Sequence, residues 1–166
     1  VTQAIHNWNV TCVDDASNTN TSATRQFTVD LGPPIVTLSS PENNSFTNKE
    51  NITFYYTPID LSLVSCKLII NGVANQTNTS PSNGILNRFM LENRSEEKLQ
   101  WSVNCTDSVN SVGPSGTYNL YIDFSPPNIT PSNPPDTFNS QKSINQLNFT
   151  VRDNFDQYLS CNITIN

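Results

Sequence analysis

Apolar and polar residues alternate in a series of short runs along this chain. Ile52, Phe54 and Tyr56 share one face of residues 51–57, Cys66, Leu68 and Ile70 one face of 65–71, and Trp101, Val103 and Cys105 one face of 99–106. A period of two over such lengths predicts strands with one buried face and one wet face. Tyr118, Leu120 and Ile122 carry the pattern on, Val36 and Leu38 precede it, and Phe89 and Leu91 lie between. Turn-forming residues separate the runs: Asn71-Gly72, Ser80-Pro81, Asn83-Gly84 and Ser125-Pro126-Pro127. No long stretch has the 3.6-residue period, and the charged segment 93–98 amounts to one helical turn at most. The expected fold is all-β.

The same signals recur at a fixed spacing. Trp8-Asn9-Val10-Thr11-Cys12 reappears as Trp101-Ser102-Val103-Asn104-Cys105, 93 residues later, and Asp30 and Pro33-Pro34 reappear at the same offset as Asp123 and Pro126-Pro127. A second set, Phe54 with Phe149, Cys66 with Cys161 and Asn71 with Asn166, is offset by 95, which implies a two-residue insertion between the proline pair and the phenylalanine. A repeat this long is one small domain. About seven short strands per repeat point to tandem immunoglobulin-like or fibronectin-like β-sandwiches. The strands of the whole copy are expected as A (about 35–40), B (50–57), C (64–71), C′ (73–79), E (85–91), F (99–106) and G (116–123). Residues 1–31 then hold strands F and G of a preceding domain, 32–124 a complete domain, and 125–166 strands A, B and C of a following one. The double prolines fix φ and remove amide donors, so they read as stiff joints between modules.

Composition narrows the class. Charged residues make up 13% of the chain, about half the ~25% of ordinary soluble domains, and Asn, Ser and Thr take their place. A net charge of −6 with eight Lys and Arg offers no footprint for nucleic acid and no basic run for an anionic bilayer. No apolar run approaches the ~18 residues of a membrane span. Val1 does not begin a signal peptide, so a secretion signal or anchor is expected outside this segment.

Four cysteines add chemistry. Strands C and F are neighbours in one sheet of such a sandwich, so Cys66 and Cys105 are expected to form an intradomain disulfide. This differs from antibody domains, which join B to F across the sheets. Cys12 at an F-type position and Cys161 at a C-type position are expected to pair with the adjacent copy or subunit. A thiol metal site is the alternative, but there is no CxxC and His6 is the only histidine. Paired cysteines belong to an oxidising, extracellular compartment.

Asn-x-Ser/Thr sequons are dense: Asn9, Asn20, Asn43, Asn51, Asn75, Asn78, Asn93, Asn104, Asn128, Asn148 and Asn162. The chain has 25 Asn and 37 Ser and Thr, for which chance pairing gives about half that number, so composition alone explains part of the excess. Position is the better argument: Asn9, Asn51, Asn104, Asn148 and Asn162 alternate with apolar strand residues and so face outward. A glycan coat there would solubilise a surface poor in charge and block edge-to-edge strand pairing.

No active site is legible, and the chain is read as no enzyme. His6 lacks a nucleophile and an orienting acid. Paired carboxylates occur only as Asp14-Asp15 and Glu96-Glu97, both expected in loops, and the acids of 14–18 and 107–110 read as turn caps. A junctional calcium would draw on Asp30 or Asp123, but the acids near them in sequence are too few to supply six to eight oxygens. No cofactor is expected beyond N-linked glycans, with a junctional calcium as the alternative.

The order Pro-Pro-x-(Ile/Val), then Cys-x-(Leu/Ile)-x-Ile-Asn, then Trp-x-Val-x-Cys-x-Asp, then (Val/Ile)-Asp resembles the immunoglobulin-like repeats of large prokaryotic surface proteins. It is most similar to the sequon-rich repeats of archaeal ones. That resemblance implies secretion, N-glycosylation and a role in a surface filament, stalk or surface layer. The partner expected is self, in a head-to-tail linear array, with a host or neighbouring cell surface as a further one. An adhesin or carbohydrate-binding module is the alternative, for which Tyr55, Tyr121 and Tyr158 are the candidate aromatic residues. Two forms of the array stay open: a window on a far longer repeat polypeptide, or a subunit whose F–G head completes the A–B–C tail of its neighbour, Cys161 joining Cys12.

Overall fold

Alternation in the sequence becomes alternation in burial. In strand β7 (Ile52–Ile59) Ile52, Phe54, Tyr56 and Pro58 are buried and the residues between them face outward. The same holds for Cys66, Leu68 and Ile70 in β8 (Leu63–Ile70) and for Leu99 through Asp107 in β11 (Glu97–Asp107). The computed structural model describes residues 1–166 apart from 140–142, 144–145, 156–157 and 166. All fifteen elements among the described residues are strands.

Strands β5 (Ile35–Ser40), β7 and β10 (Asn87–Leu91) form one antiparallel sheet in the order β10-β7-β5. The second sheet runs β6-β13-β11-β8-β9, with β6 at Ser45–Thr47, β9 at Val73–Asn78 and β13 at Tyr118–Ile122. These are strands A, B and E against C′, C, F and G, the arrangement of an immunoglobulin-like sandwich. Phe54, Tyr56, Phe89 and Leu91 of the first sheet meet Leu68, Trp101, Val103 and Leu120 of the second in a single core. Every buried apolar residue of that core lies between Leu38 and Ile122. Asn71 and Gly72 both have positive φ, 51° and 80°, as the two-residue hairpin between β8 and β9 requires.

Two short strands had no signal in the sequence. Strand β6 adds in parallel to β13, with Phe46 opposite Tyr121, and β12 (Val112–Pro114) pairs with β11. Three residues are too few for a period to show. Gly113 in β12 is required by close approach: a Cβ there would sit 1.7 Å from the Pro34 carbonyl oxygen.

The repeat holds at the level of pairing. Strand β1 (Ala4–Trp8) pairs with β4 (Arg25–Val29) from Ala4↔Val29 to Trp8↔Arg25, and β11 pairs with β13 from Glu97↔Ile122 to Trp101↔Tyr118, each partner 93 residues on. Strand β2 (Thr11–Val13) meets β3 (Thr19–Thr21) as β11 meets β12. Side chains repeat too: Ser22 Oγ accepts from the Val10 amide (3.0 Å) as Ser115 Oγ accepts from that of Val103 (2.9 Å).

Three expectations change. Asn9, expected on strand F, falls between β1 and β2, where β11 runs unbroken. In β11 this stretch is held by β8 on its second edge, and among the described residues β1 and β2 have no such partner. The two-residue insertion also moves. Strand β14 (Asn128–Asn133) pairs with β15 (Asn148–Arg152) so that Phe149 opposes Pro131, as Tyr56 opposes Leu38. Phe149 is therefore the counterpart of Tyr56 rather than of Phe54, and the extra residues fall after β15. Finally, strand C of the following copy does not form among residues 158–165. In the complete copy β8 is hydrogen-bonded by β11 and β9, and among the described residues no strand flanks Cys161. Asn166, aligned with Asn71 in the sequence, lies outside the described residues.

Candidate functional site

Strands β8 and β11 place Cys66 directly opposite Cys105, both fully buried, and the two sulfurs are bonded with Cα atoms 4.0 Å apart. The bond joins neighbouring strands of one sheet, as expected from the C and F positions. Cys12 and Cys161 are free and exposed. Cys12 stands opposite Asn20 in the β2–β3 ladder, and Cys161 borders a groove of about 300 Å³ lined by Ile129, Pro131, Leu147, Phe149 and Ile163. Residues that are core in the complete copy stand open at the start of the chain: Trp8 is 47% exposed where Trp101 is 0%.

Nine of the eleven sequon asparagines are exposed, and Asn78 and Asn104 are half-buried. Asn104 sits in β11 between Lys67 and Pro114, with its side chain on the outer face. Asn78 differs in chemistry, because its Nδ2, the atom a glycan would occupy, donates to the buried Tyr56 hydroxyl (3.3 Å). A sugar there takes one of the two Nδ2 hydrogens and must fit beside the buried phenol that this nitrogen bonds. Occupancy measured on intact glycopeptides is expected to be lowest at Asn78, by roughly twofold or more relative to Asn75 on the same strand. Equal occupancy at the two would show that the Tyr56 contact does not restrain modification.

The third feature lies where one copy meets the next. Asp30 follows β4, Asp60 follows β7 and Asp107 ends β11, and one carboxylate oxygen from each lies within 4.8 Å of the others. Asp107 continues the inward face after Cys105 and is 1% exposed. Its Oδ1 accepts from the amides of Val109 (2.9 Å) and Ser111 (2.8 Å), so the turn-capping expectation holds, while its Oδ2 has no partner. Asp30 Oδ2 accepts from the Ser62 hydroxyl (2.5 Å), and its buried Oδ1 likewise has none. Asp60 Oδ1 accepts from the Ser62 amide. Burial, with the like charges of Asp30 and Asp107 beside it, pushes the Asp60 carboxyl up from its ordinary value. The sequence had suggested Asp30 alone of these three. An acid at an inward strand position, Asp107, was the signal available for the rest.

The second joint is built differently. Glu96 accepts from the Asn154 side-chain amide (2.9 Å) and from the amides of Phe124 and Ser125. Asn154 first, then a hydrogen bond shared with Asp123, holds the Glu96 carboxyl down at about 2, while burial and that same bond push Asp123 up. Tyr121 stacks on Phe46 (4.7 Å), lies under Lys98 and meets Phe155 edge-on (6.0 Å). It is therefore packed at the joint, whereas Tyr55 is half-buried in β7 and Tyr158 is 95% exposed. Glu97 is not in a loop: it opens β11 and pairs with Arg94. His6 stacks on Phe27 (5.2 Å) and bonds the Thr2 carbonyl (2.8 Å). Asp14 Oδ1 accepts from the amides of Ala16 and Asn18, and Asp15 stands exposed beside it.

No protein-family model and no curated protein matches the sequence. Among solved structures the chain is similar to the fibronectin(III)-like modules of Clostridium thermocellum CbhA, at 14% identity and a TM-score of 0.44 over 74% of this chain and 64% of that one. It is also similar to the CARDB domain of a Pyrococcus furiosus protein, at 14% identity and a TM-score of 0.38 over 57% of this chain and 100% of that one. The chain thus spans less than two thirds of the length of the CbhA modules it matches. Likeness at this identity concerns the fold alone, and the two sheets described above make that fold an all-β sandwich of the immunoglobulin and fibronectin type.

Proposed function

We propose that this chain is a segment of an extracellular structural array, in which glycan-coated sandwich modules repeat every 93 residues to form a surface filament, stalk or surface layer. The observation that carries the reading is the repetition of backbone pairing and of side-chain hydrogen bonds at one constant offset. Modules that repeat their strand pairing at one constant offset are the unit from which a linear assembly is built. A buried disulfide suits an oxidising compartment outside the cell. Exposed sequons supply solubility that a chain with 13% charged residues otherwise lacks.

The partner in this reading is a further copy of the same repeat. The head presents Ile5, Trp8, Val10 and Phe27 to solvent, and the tail presents the groove beside Cys161. Cys12 and Cys161 are free and exposed, and they stand at F-type and C-type positions like those joined in the complete copy, so a further copy would bring each a partner.

Native material, stripped of sugars, is the test on a denaturing gel with and without reductant. Very large bands in both lanes are expected of one long repeat polypeptide. A ladder that collapses on reduction would show subunits joined through Cys12 and Cys161. A small species in both lanes would refute the array.

A further inference from the structure

We propose that Asp30, Asp60 and Asp107 form a calcium site that clamps the end of one copy to the loops of the next. Three carboxylates with oxygens within 4.8 Å of one another repel unless a positive charge lies among them. Among the described residues Arg94 pairs with Glu97, and no described lysine or arginine pairs with these carboxylates. Asp107 is 1% exposed with Oδ2 unpartnered, and Asp30 Oδ1 is buried and unpartnered as well. Leaving such oxygens without a partner is costly.

The internal repeat shows why Asp107 has an oxygen to give. In the preceding copy the equivalent Asp14 makes the same two amide bonds through Oδ1, and its Oδ2 accepts from the Asn18 side chain (2.9 Å). Ser111 stands where Asn18 would, and it reaches the Asp107 carboxylate through its backbone amide, at Oδ1, and not with its side chain. The oxygen that Asn18 satisfies in one copy is thus released toward Asp30 and Asp60 in the other. Asp30 and Asp60 themselves recur 93 residues on as Asp123 and Asp153.

A donor set made only of oxygen selects the hard divalent ions rather than zinc or copper. Three carboxylates give between three and six ligand oxygens, and water completes the shell. Calcium tolerates such an irregular shell, whereas magnesium demands near-octahedral order. Asp30 comes from one copy, and Asp60 and Asp107 come from the other, so the ion would fix the angle at the Gly32-Pro33-Pro34 linker. The site rests on this geometry and not on the surface-array reading.

The test is calorimetric titration of the EDTA-stripped 166-residue chain with calcium chloride, with magnesium chloride in parallel. One calcium per chain is expected, with a Kd of about 10⁻⁴ to 10⁻³ M as in extracellular modules. Asp30→Asn is expected to weaken binding tenfold or more, and Glu42→Gln, a change at an exposed acid elsewhere, to leave it unchanged. Asp107→Asn also touches the 108–111 turn, so Asp30→Asn, which spares that turn, carries the decision. Hydrogen exchange should slow at residues 28–32 in calcium relative to EDTA. Absence of binding at 10 mM calcium, binding unchanged in Asp30→Asn, or magnesium bound as tightly as calcium would overturn the proposal.

Discussion

Replacing Trp101 with alanine is expected to cost the complete module about 3 kcal/mol, while the same change at Trp8 should cost about 1 kcal/mol or less. The two tryptophans occupy the same place in the repeat and the same place in the pairing. They differ in what covers them. Trp101 is fully buried, with Phe54 at 5.0 Å and Tyr118 edge-on at 5.7 Å, whereas Trp8 is 47% exposed. Burying an indole and losing it to a cavity places a Trp→Ala change at roughly 3–5 kcal/mol. The low end applies because Trp101 Nε1 has no hydrogen-bond partner, so part of the gain from burial is already offset by desolvation. Urea unfolding followed by circular dichroism reads the difference, since about 3 kcal/mol moves a midpoint by roughly 1–3 M in a small domain. Equal losses at the two positions would mean that Trp8 is covered in solution, as pairing with another copy requires.

Removing the bond between Cys66 and Cys105 by a double change to alanine should destabilise the module by about 4 kcal/mol, within the usual 2–5. The two residues are 39 apart in sequence. Closing a loop of that length removes about 4 kcal/mol of chain entropy from the unfolded state. Both sulfurs are also fully buried, so their loss leaves space between β8 and β11. Cys12→Ala and Cys161→Ala are the controls, and both should be close to neutral in the isolated chain because these thiols are free and exposed. Thermal or urea unfolding of the oxidised protein makes the measurement. A loss under about 1 kcal/mol for the double change would mean that β8 and β11 hold their register through packing and the ladder alone.

Strand existence was plain in the sequence because one face of each central strand is buried, and burial writes a period of two into the residues. Register was not plain. A slide of two residues preserves the face, so Phe149 matched Phe54 as well as it matched Tyr56, and only the partner strand decides between them. The short strands β6 and β12 escaped because their positions come from neighbours: β6 from Tyr121 and the edge of β13, β12 from the close approach of Pro34 to Gly113. The same holds for the junction carboxylates. Asp30, Asp60 and Asp107 are far apart in sequence, and the sandwich brings three loop ends together. Asp107 alone carried a local sign, since it extends the inward series Trp101, Val103, Cys105.

The parallel contact of β6 with β13 governs how such a module answers a pull. Tension enters ahead of β5 and leaves after β13, so it drags β6 and β13 along their length in opposite directions. The pairs Leu120↔Ser45, Tyr121↔Phe46 and Ile122↔Thr47 must then slip together, instead of opening one after another like a zip. If they do slip, the sulfur bridge sets the next stop. The 39-residue span from Cys66 to Cys105 cannot pay out, which withholds about 130 Å of contour at roughly 3.4 Å per residue. A module built this way can lengthen only by the residues outside that span.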